Sequence, residues 1–265
     1  MNMLLAKSCQ KRFHIKNGTI KLGTLHEYRI IENEELIDKH EGMLTFYLNF
    51  RGRVRIQTQW FNTINGNGIS FGGPPPIPFP GRTRAHFEKL HVEQNFGPWM
   101  VLLESRGVVS REAPNGFIFC MSRVERKEDC VGIFKGCDDY WYITEEKVHD
   151  FARHLVYLLR CYLMEQHAKG NYILPPETDM SDPMVHCEYG EVNYISREID
   201  LYGEDFMPLE EYMGKMRDMA FTKPESYSKE REYRFSFVVV VGGKLVEPIV
   251  NSVFLDSTSL MELVF

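Results

Sequence analysis

Two glutamates, two residues apart, have the spacing that most directly suggests chemistry in this chain. Glu230 and Glu232 stand at the entry to an apolar, β-branched segment, residues 233–241. If the backbone is already extended there, both side chains share one face. Two carboxylates at such a short distance raise each other's pKa or require a cationic partner. Arg231 and Arg234 are candidates for that partner, although Arg231 points to the opposite face.

A carboxylate at the mouth of a core strand can hold a ribose hydroxyl and stabilise a developing oxocarbenium ion. Glu230 and Glu232 are therefore candidates for a site of this kind. An exposed charged turn before an edge strand is the alternative interpretation.

A second segment, residues 18–29, offers groups for a diphosphate. Gly18 and Gly23 bracket a short strand, and backbone donors of such a loop can bind phosphate together with an arginine. The spacing matches neither the P-loop nor the dinucleotide-binding fingerprint, so an ordinary turn before a short helical stretch stays open. The side chains that could contact the ligand are Thr24, Tyr28 and Arg29.

Other catalytic patterns are missing from the sequence. Ser122 ends the predicted strand 117–122, but no G-x-S-x-G surrounds it, so a hydrolase elbow is not supported. The nine histidines and six cysteines include no metal-ligand spacing, and we expect no metal site.

The net charge of −6 gives the chain no general attraction for nucleic acid. A nucleic-acid contact would require a local basic patch, for which a solvated strand face is the alternative. The predicted patch consists of Arg51, Arg53, Arg55, Arg82 and Arg84.

The elements that position these residues are mostly short strands, and we predict one α+β domain over residues 1–265. Residues 62–84 are rich in Gly and Pro and predict a long loop without regular structure. Apolar residues at helical spacing predict one long helix of roughly 24 residues, with Thr144 as N-cap and Gly170 as stop. A shorter helix is predicted over residues 209–219. The predicted strands are 3–8, 19–22, 43–50 and 53–60 as a hairpin around Gly52, 99–104, 117–122, 184–194, 233–241 as the central strand, and 245–249.

The predicted environment is the cytoplasm, with no membrane contact. No apolar stretch of about 18 residues predicts a membrane span, and Lys7 interrupts the apolar start too early for a signal peptide. The scattered cysteines are typical of reduced thiols.

Several short motifs are spread over most of the chain. They are Asn17 to Arg29, Glu32, Asp38, Glu41 and Gly42, then Phe117 and Phe119 to Ser122, then Tyr189 to Tyr194, and finally Phe221 to Phe235. Together these motifs resemble a group of bacterial anti-phage toxins similar to divergent ADP-ribosyltransferases, of which the CmdT-like toxins modify RNA.

The resemblance implies a split β core that grips NAD as a substrate. Glu232 would orient the nicotinamide ribose and Glu230 the acceptor, which is a nucleic acid, RNA favoured, or a protein. The NAD contacts would be Thr24, Tyr28, Arg29, Ser122 and Lys7. Better-known branches carry Arg or His on the first core strand, where this chain has Lys7 with His14 just beyond. A toxin also implies an antitoxin or chaperone partner.

Two other functions stay open at this point. One is a non-catalytic sensor or partner-binding module in which Glu230 and Glu232 only form ion pairs. The other is a Mg²⁺-dependent nuclease that combines the two glutamates with Asp138 or Asp139.

Overall fold

The computed structural model describes residues 3–30, 38–66, 69–202 and 207–265. Three residues of the motifs and the loop above lie outside these ranges: Glu32, which belongs to the motifs of the resemblance, and Asn67 and Gly68 of the predicted loop. The chain is mixed α+β, with mostly strands and a few helices.

The strands and helices follow each other in this order: β1 (Leu4–Cys9), β2 (Thr19–Thr24), α1 (Glu27–Ile30), β3 (Met43–Gln57), α2 (Thr58–Ile64), β4 (Arg82–Asn95), β5 (Trp99–Glu112), β6 (Phe117–Val124), β7 (Asp139–Thr144), α3 (Val148–Ala168), β8 (Met184–Glu191), β9 (Asn193–Tyr194), β10 (Glu198–Tyr202), α4 (Leu209–Arg217), β11 (Thr222–Lys223), β12 (Glu232–Val241), β13 (Lys244–Val246) and β14 (Ser252–Asp256).

The chain divides into two compact units. The first consists of Met1–Glu41, Asn115–Tyr194 and Lys223–Phe265, and the second of Gly42–Pro114 and Ile195–Thr222. Every residue of the Glu-x-Glu segment and of the segment 18–29 belongs to the first unit.

The first unit is built on an antiparallel sheet in which β12 is central, as its apolar sequence predicts. β12 pairs with β6 on one edge and with β8 on the other. The opposite edge of β6 pairs with two strands in succession, because β2 covers Phe117 and Ile118 whereas β1 covers Ser122 to Val124. Residues 119–121 lie where one partner strand ends and the next begins.

The long helix α3 packs on this sheet and closes the core of the first unit. Its buried side chains recur at helical spacing and contact the apolar side chains of β6 and β12. A 3₁₀ turn, Glu145–Lys147, precedes it, and Gly170 with φ of 77° follows it, so the predicted helix is confirmed. Thr144 makes no capping hydrogen bond through its side chain, contrary to its predicted role.

The second unit contains a sheet with strand order β10-β3-β5-β4. The predicted hairpin around Gly52 is wrong: β3 continues through it, and Gly52, with φ of 79°, forms a bulge that shifts the register between Arg51 and Val54. A glycine between two alternating segments fits a turn and a bulge equally well, and pairing with β5 decides between them.

Other predicted boundaries also change. The predicted strand 53–60 ends early because α2 begins at Thr58, and α2 and β4 occupy both ends of the predicted loop 62–84. The last predicted strand ends at Val246, and β14 was missed. Within the described residues, no helix is both long enough and apolar enough to cross a membrane.

Phe235 of β12 anchors the core, and its removal should test this packing. The side chain is fully buried, with ring centroids of Phe151 at 5.6 Å and Phe119 at 6.2 Å. We expect Phe235→Ala to lower the free energy of unfolding by about 3–5 kcal/mol, because a cavity remains. Phe254→Ala is the control, since that ring is half-exposed in the same unit. Urea titration followed by circular dichroism measures both, and equal losses would contradict the packing described here.

Candidate functional site

The two glutamates come together through a turn and not along an extended strand. Glu230 ends a 3₁₀ helix, Glu225–Glu230, and Glu232 is the first residue of β12. Arg231 between them has φ of 45° and is the only non-glycine residue with positive φ in the described part of the chain. The prediction that both side chains share one strand face is therefore wrong. A left-handed residue other than glycine is uncommon and tends to occur at functional sites.

Lys223 joins the two carboxylates. Its Nζ donates to Oε2 of Glu230 at 2.6 Å and to Oε2 of Glu232 at 2.9 Å. The three side chains are only 4–7% exposed. The alternative of an exposed charged turn is therefore wrong. The sequence reasoning missed Lys223, because nothing in its own surroundings marks it as the shared partner.

Arg234 extends the network to a third carboxylate. Its Nε donates to Oε1 of Glu232 at 2.6 Å, and Nη1 donates to Oε1 of Glu41 at 2.8 Å. Three carboxylates and two cations carry a formal charge of −1 in a buried region. Burial of charge is costly without such pairing, so these contacts fix the side chains in position.

The surroundings shift the pKa values of the two glutamates in opposite directions. Burial tends to raise the pKa of Glu232, but Arg234 and Lys223 outweigh it and hold that pKa far below its ordinary value. Burial raises the pKa of Glu230, and Lys223 offsets this only in part. Burial alone would lower the pKa of Lys223, yet Glu232 and Glu230 raise it, so the ammonium stays charged. One carboxylate is thus a permanent anion, and the other can exchange a proton more readily.

A pocket of about 140 Å³ opens beside the network, and we call it the glutamate pocket. Of the predicted NAD contacts, Lys7, Tyr28 and Ser122 line it together with Glu230 and Glu232. Ser122 pairs directly with Glu232 across the sheet, which explains its place in the pocket. Burial is the main cause that raises the pKa of Tyr28, with Cys120 and Glu232 adding to it, so the phenol remains a neutral hydrogen-bonding group.

A second cleft, of about 360 Å³, shares Lys7 and Tyr28 with the glutamate pocket, and we call it the aromatic cleft. Both openings lie where β6 changes partner strands, since Cys120 and Met121 line the first and Phe119 the second. The Nζ of Lys7 donates to the carbonyl oxygen of Cys120 at 2.8 Å, which satisfies a backbone acceptor at this opening of the sheet.

Two predicted NAD contacts do not line either pocket. Thr24 is buried, and its Oγ1 accepts a hydrogen bond from the Glu27 backbone N–H at 3.1 Å. The Nε of Arg29 donates to the carbonyl oxygen of Glu41 at 2.8 Å. Thr24 therefore orders the turn before α1, and Arg29 holds the backbone of Glu41, whose side chain belongs to the network.

The predicted basic patch is not one surface. In the strand register, Arg55 lies opposite Val101 of β5 and Arg82 lies opposite Glu112. The two arginines are therefore 11 positions apart along β5, or about 36 Å at a strand rise of ~3.3 Å. The members of the patch also have partners of their own. Arg53 forms an ion pair with Glu93 at 2.6 Å, Arg82 pairs with Glu112 at 3.2 Å, and Arg55 stacks on Trp99. Arg51 contacts Asn49, and Arg84 is exposed. The arginines are exposed at separate positions of this sheet, and their role in nucleic-acid binding stays a prediction.

The structure gives no support to the Mg²⁺ hypothesis. The carboxylates of Glu230 and Glu232 accept from Lys223 and Arg234. Asp138 accepts the backbone N–H of Lys11 at 2.8 Å, and Asp139 accepts that of Tyr140. In the described ranges, no group of three or more His, Cys, Asp or Glu side chains is arranged to hold a metal ion.

Comparison with protein-family models, with curated proteins and with solved structures finds no match to this chain. The geometry of the site therefore carries the functional interpretation.

The shared role of Lys223 has a consequence that depends on pH. Lys223→Met leaves two buried carboxylates with Arg234 as their remaining cation, so we expect a loss of about 3–5 kcal/mol in the free energy of unfolding near pH 7. The pKa of Glu230, already raised by burial, should rise further in this variant. Below the unfolded-state pKa of a glutamate, folded and unfolded states both hold the proton, so the loss should shrink toward about pH 4.

Urea titrations at several pH values measure this difference. Lys169→Met is the matched control, because Lys169 forms an exposed pair with Glu165 in α3 worth about 0.3–0.5 kcal/mol. A loss that is the same at every pH would show that Lys223 does not neutralise the glutamates.

Proposed function

We propose that this chain is an NAD-dependent ADP-ribosyltransferase that modifies a nucleic acid, RNA favoured, or a protein. The observation that carries the proposal is the pair of buried glutamates joined by Lys223 at a pocket, one held ionised and the other with a raised pKa. Titratable groups whose surroundings separate their pKa values are typical of sites that divide electrostatic and proton-transfer roles.

The reaction assigns a different task to each glutamate. The bond between nicotinamide and ribose C1 breaks, nicotinamide leaves with the bonding electron pair, and positive charge develops on the ribose. Glu232, a permanent anion in a network of net charge −1, stabilises that charge. An acceptor oxygen or nitrogen then attacks C1, and Glu230 takes up the proton that the acceptor loses.

The glutamate pocket supports the binding of NAD. Its lining combines a cation, a phenol and hydroxyl groups with the two carboxylates. Lys7 at its edge is suited to a diphosphate, and Tyr28 and Ser122 offer hydrogen bonds to the nucleotide. We infer that the opening of the sheet at residues 119–121 is the split of an ADP-ribosyltransferase-like β core, with Lys7 at the position where other branches carry Arg or His.

The biological setting rests on the resemblance of the sequence motifs. We propose a cytoplasmic toxin of anti-phage defence that an antitoxin or chaperone restrains. The acceptor and that partner are to be identified by experiment.

A non-catalytic binding module is the second candidate, and one observation favours it. Both carboxylate oxygens of Glu232 already accept hydrogen bonds, Oε1 from Arg234 and Oε2 from Lys223. In such a module the network would serve stability alone.

Matched substitutions of the two carboxylates that Arg234 contacts separate these candidates. Glu232→Gln should reduce nicotinamide release from NAD by about 10²–10³-fold, because a neutral amide does not stabilise the cationic transition state. Glu41→Gln is the control: it breaks the same kind of contact to Arg234, but Glu41 does not line the glutamate pocket. It should lose stability and retain turnover at a temperature where both variants are folded.

The assay incubates the purified protein with adenine-labelled NAD and total cell RNA, DNA and protein, and follows free nicotinamide and the fraction that takes the label. No NAD consumption with any acceptor, or equal turnover in Glu232→Gln and the wild type, would contradict the proposal and favour the binding module.

A further inference from the structure

The start of the chain is a basic segment in an acidic protein. Residues 3–26 contain no Asp or Glu, whereas the whole chain has a net charge of −6. The cations of the segment are Lys7, Lys11, Arg12, Lys16 and Lys21. Two of these cations, Lys7 and Lys21, line the aromatic cleft.

The aromatic cleft lies against this segment. Phe13 and Phe254 line it and are 55% and 52% exposed, which is unusual for two large apolar rings at one opening. Deeper in the cleft, Phe119 and Trp141 stack with centroids 6.0 Å apart and an interplanar angle of 21°. Lys7 lies over the Phe119 ring at 4.7 Å. The cleft thus combines exposed ring faces with cations.

Hydrogen bonds order the basic segment before any ligand binds. Ser257 Oγ donates to the carbonyl oxygen of Ile15 at 2.7 Å, and Asn17 Nδ2 donates to that of Lys11 at 2.9 Å. Arg12 stacks on Phe13, with 4.7 Å from Cζ to the ring centroid. A surface already held in place loses less conformational freedom on binding.

Four acids lie near the segment, and each is engaged in a specific contact. Asp139 accepts the backbone N–H of Tyr140, and Asp256 accepts that of Thr258. Glu27 pairs with Lys21 at 2.6 Å, and Asp138 accepts the backbone N–H of Lys11 at 2.8 Å. Lys11, Arg12 and Lys16 remain exposed along the same segment. Their charge is available to a partner that is both anionic and aromatic.

We propose that the aromatic cleft and its basic segment bind single-stranded nucleic acid. Bases stack on Phe13 and Phe254, and phosphates follow Lys11, Arg12 and Lys16, as in sites that combine a basic groove with stacking platforms. A single strand fits better than a duplex, because the rings need exposed base faces. The cleft shares Lys7 and Tyr28 with the glutamate pocket, so a strand bound there lies beside the proposed NAD site. That this strand is the acceptor of ADP-ribose rests on the proposed function.

Binding is measured without NAD, so its outcome is independent of catalysis. The probe is a fluorescein-labelled RNA of roughly 12 nucleotides, a usual length for such grooves, and the readout is fluorescence anisotropy with the full-length protein. Phe254→Ala should weaken binding at least about fivefold, because one stacking platform is lost. Phe96→Ala is the matched control, since Phe96 is equally exposed but lies in the second unit, and it should bind as the wild type does.

The salt dependence tests the phosphate contacts. The double substitution Lys11→Ala and Lys16→Ala should reduce the slope of log K against log salt by about 1.4, or about 0.7 per lost contact to a single strand. Arg53→Ala with Arg55→Ala removes the same charge from the second unit and should leave the slope unchanged. Thermal melts confirm that each variant is folded.

Three results would overturn the proposal. They are equal affinity for a duplex of the same sequence, equal affinity for polyglutamate of the same charge, and a Phe254→Ala variant that loses NAD affinity while RNA affinity is unchanged. The last result would assign the cleft to the dinucleotide. RNA binding without any NAD turnover would support this surface and refute the proposed transferase, so the two failures are distinguishable.

Discussion

The burial of three carboxylates beside the cations Arg234 and Lys223 is the constraint on which the rest of this site depends. Glu41, Glu232 and Glu230 have almost no contact with water, so Arg234 and Lys223 must be held at hydrogen-bonding distance. The residues that make these contacts are far apart in the sequence, as Glu41 and Arg234 show. The fold of the first unit brings them together. The excess negative charge remains at one end of β12, beside the glutamate pocket.

The change of partner strands along β6 leaves the space in which we propose that ligands bind beside this charge. Both pockets lie where β2 ends and β1 begins, and both are lined by Lys7 and Tyr28. A group-transfer enzyme needs two adjoining substrates, one beside its charged groups and one within reach of the reacting atom. The proposed dinucleotide and the proposed nucleic-acid strand meet that requirement in one unit of the protein.

Local patterns in the sequence were sufficient for the main elements of the first unit. The apolar β12 and the helical spacing of α3 are properties of contiguous residues, and both predictions are confirmed. Glu230 and Glu232 were found because their spacing is visible in the sequence, but the cation that joins them was not, since its place depends on tertiary contacts. The bulge at Gly52 was predicted as a turn, and the arginines of β3 and β4 were predicted to form one basic patch. Both predictions failed because strand register depends on long-range pairing, which the local sequence does not show. The cations of the basic segment, residues 7–21, are visible in the sequence. The cleft beside them is not, because it depends on tertiary contacts.

The central claim is that Glu232 and Glu230 titrate far apart because Arg234 and Lys223 both favour the ionised form of Glu232, whereas burial raises the pKa of Glu230 and Lys223 offsets this only in part. Carbon-13 labelling of glutamate Cδ, with Glu230→Gln and Glu232→Gln for assignment, measures both titrations by NMR. We predict that Glu232 keeps the chemical shift of a carboxylate to the lowest pH at which the protein is folded, and that Glu230 titrates with a pKa above the ordinary glutamate value. Two signals that titrate together at that ordinary value would contradict the network and the division of roles derived from it.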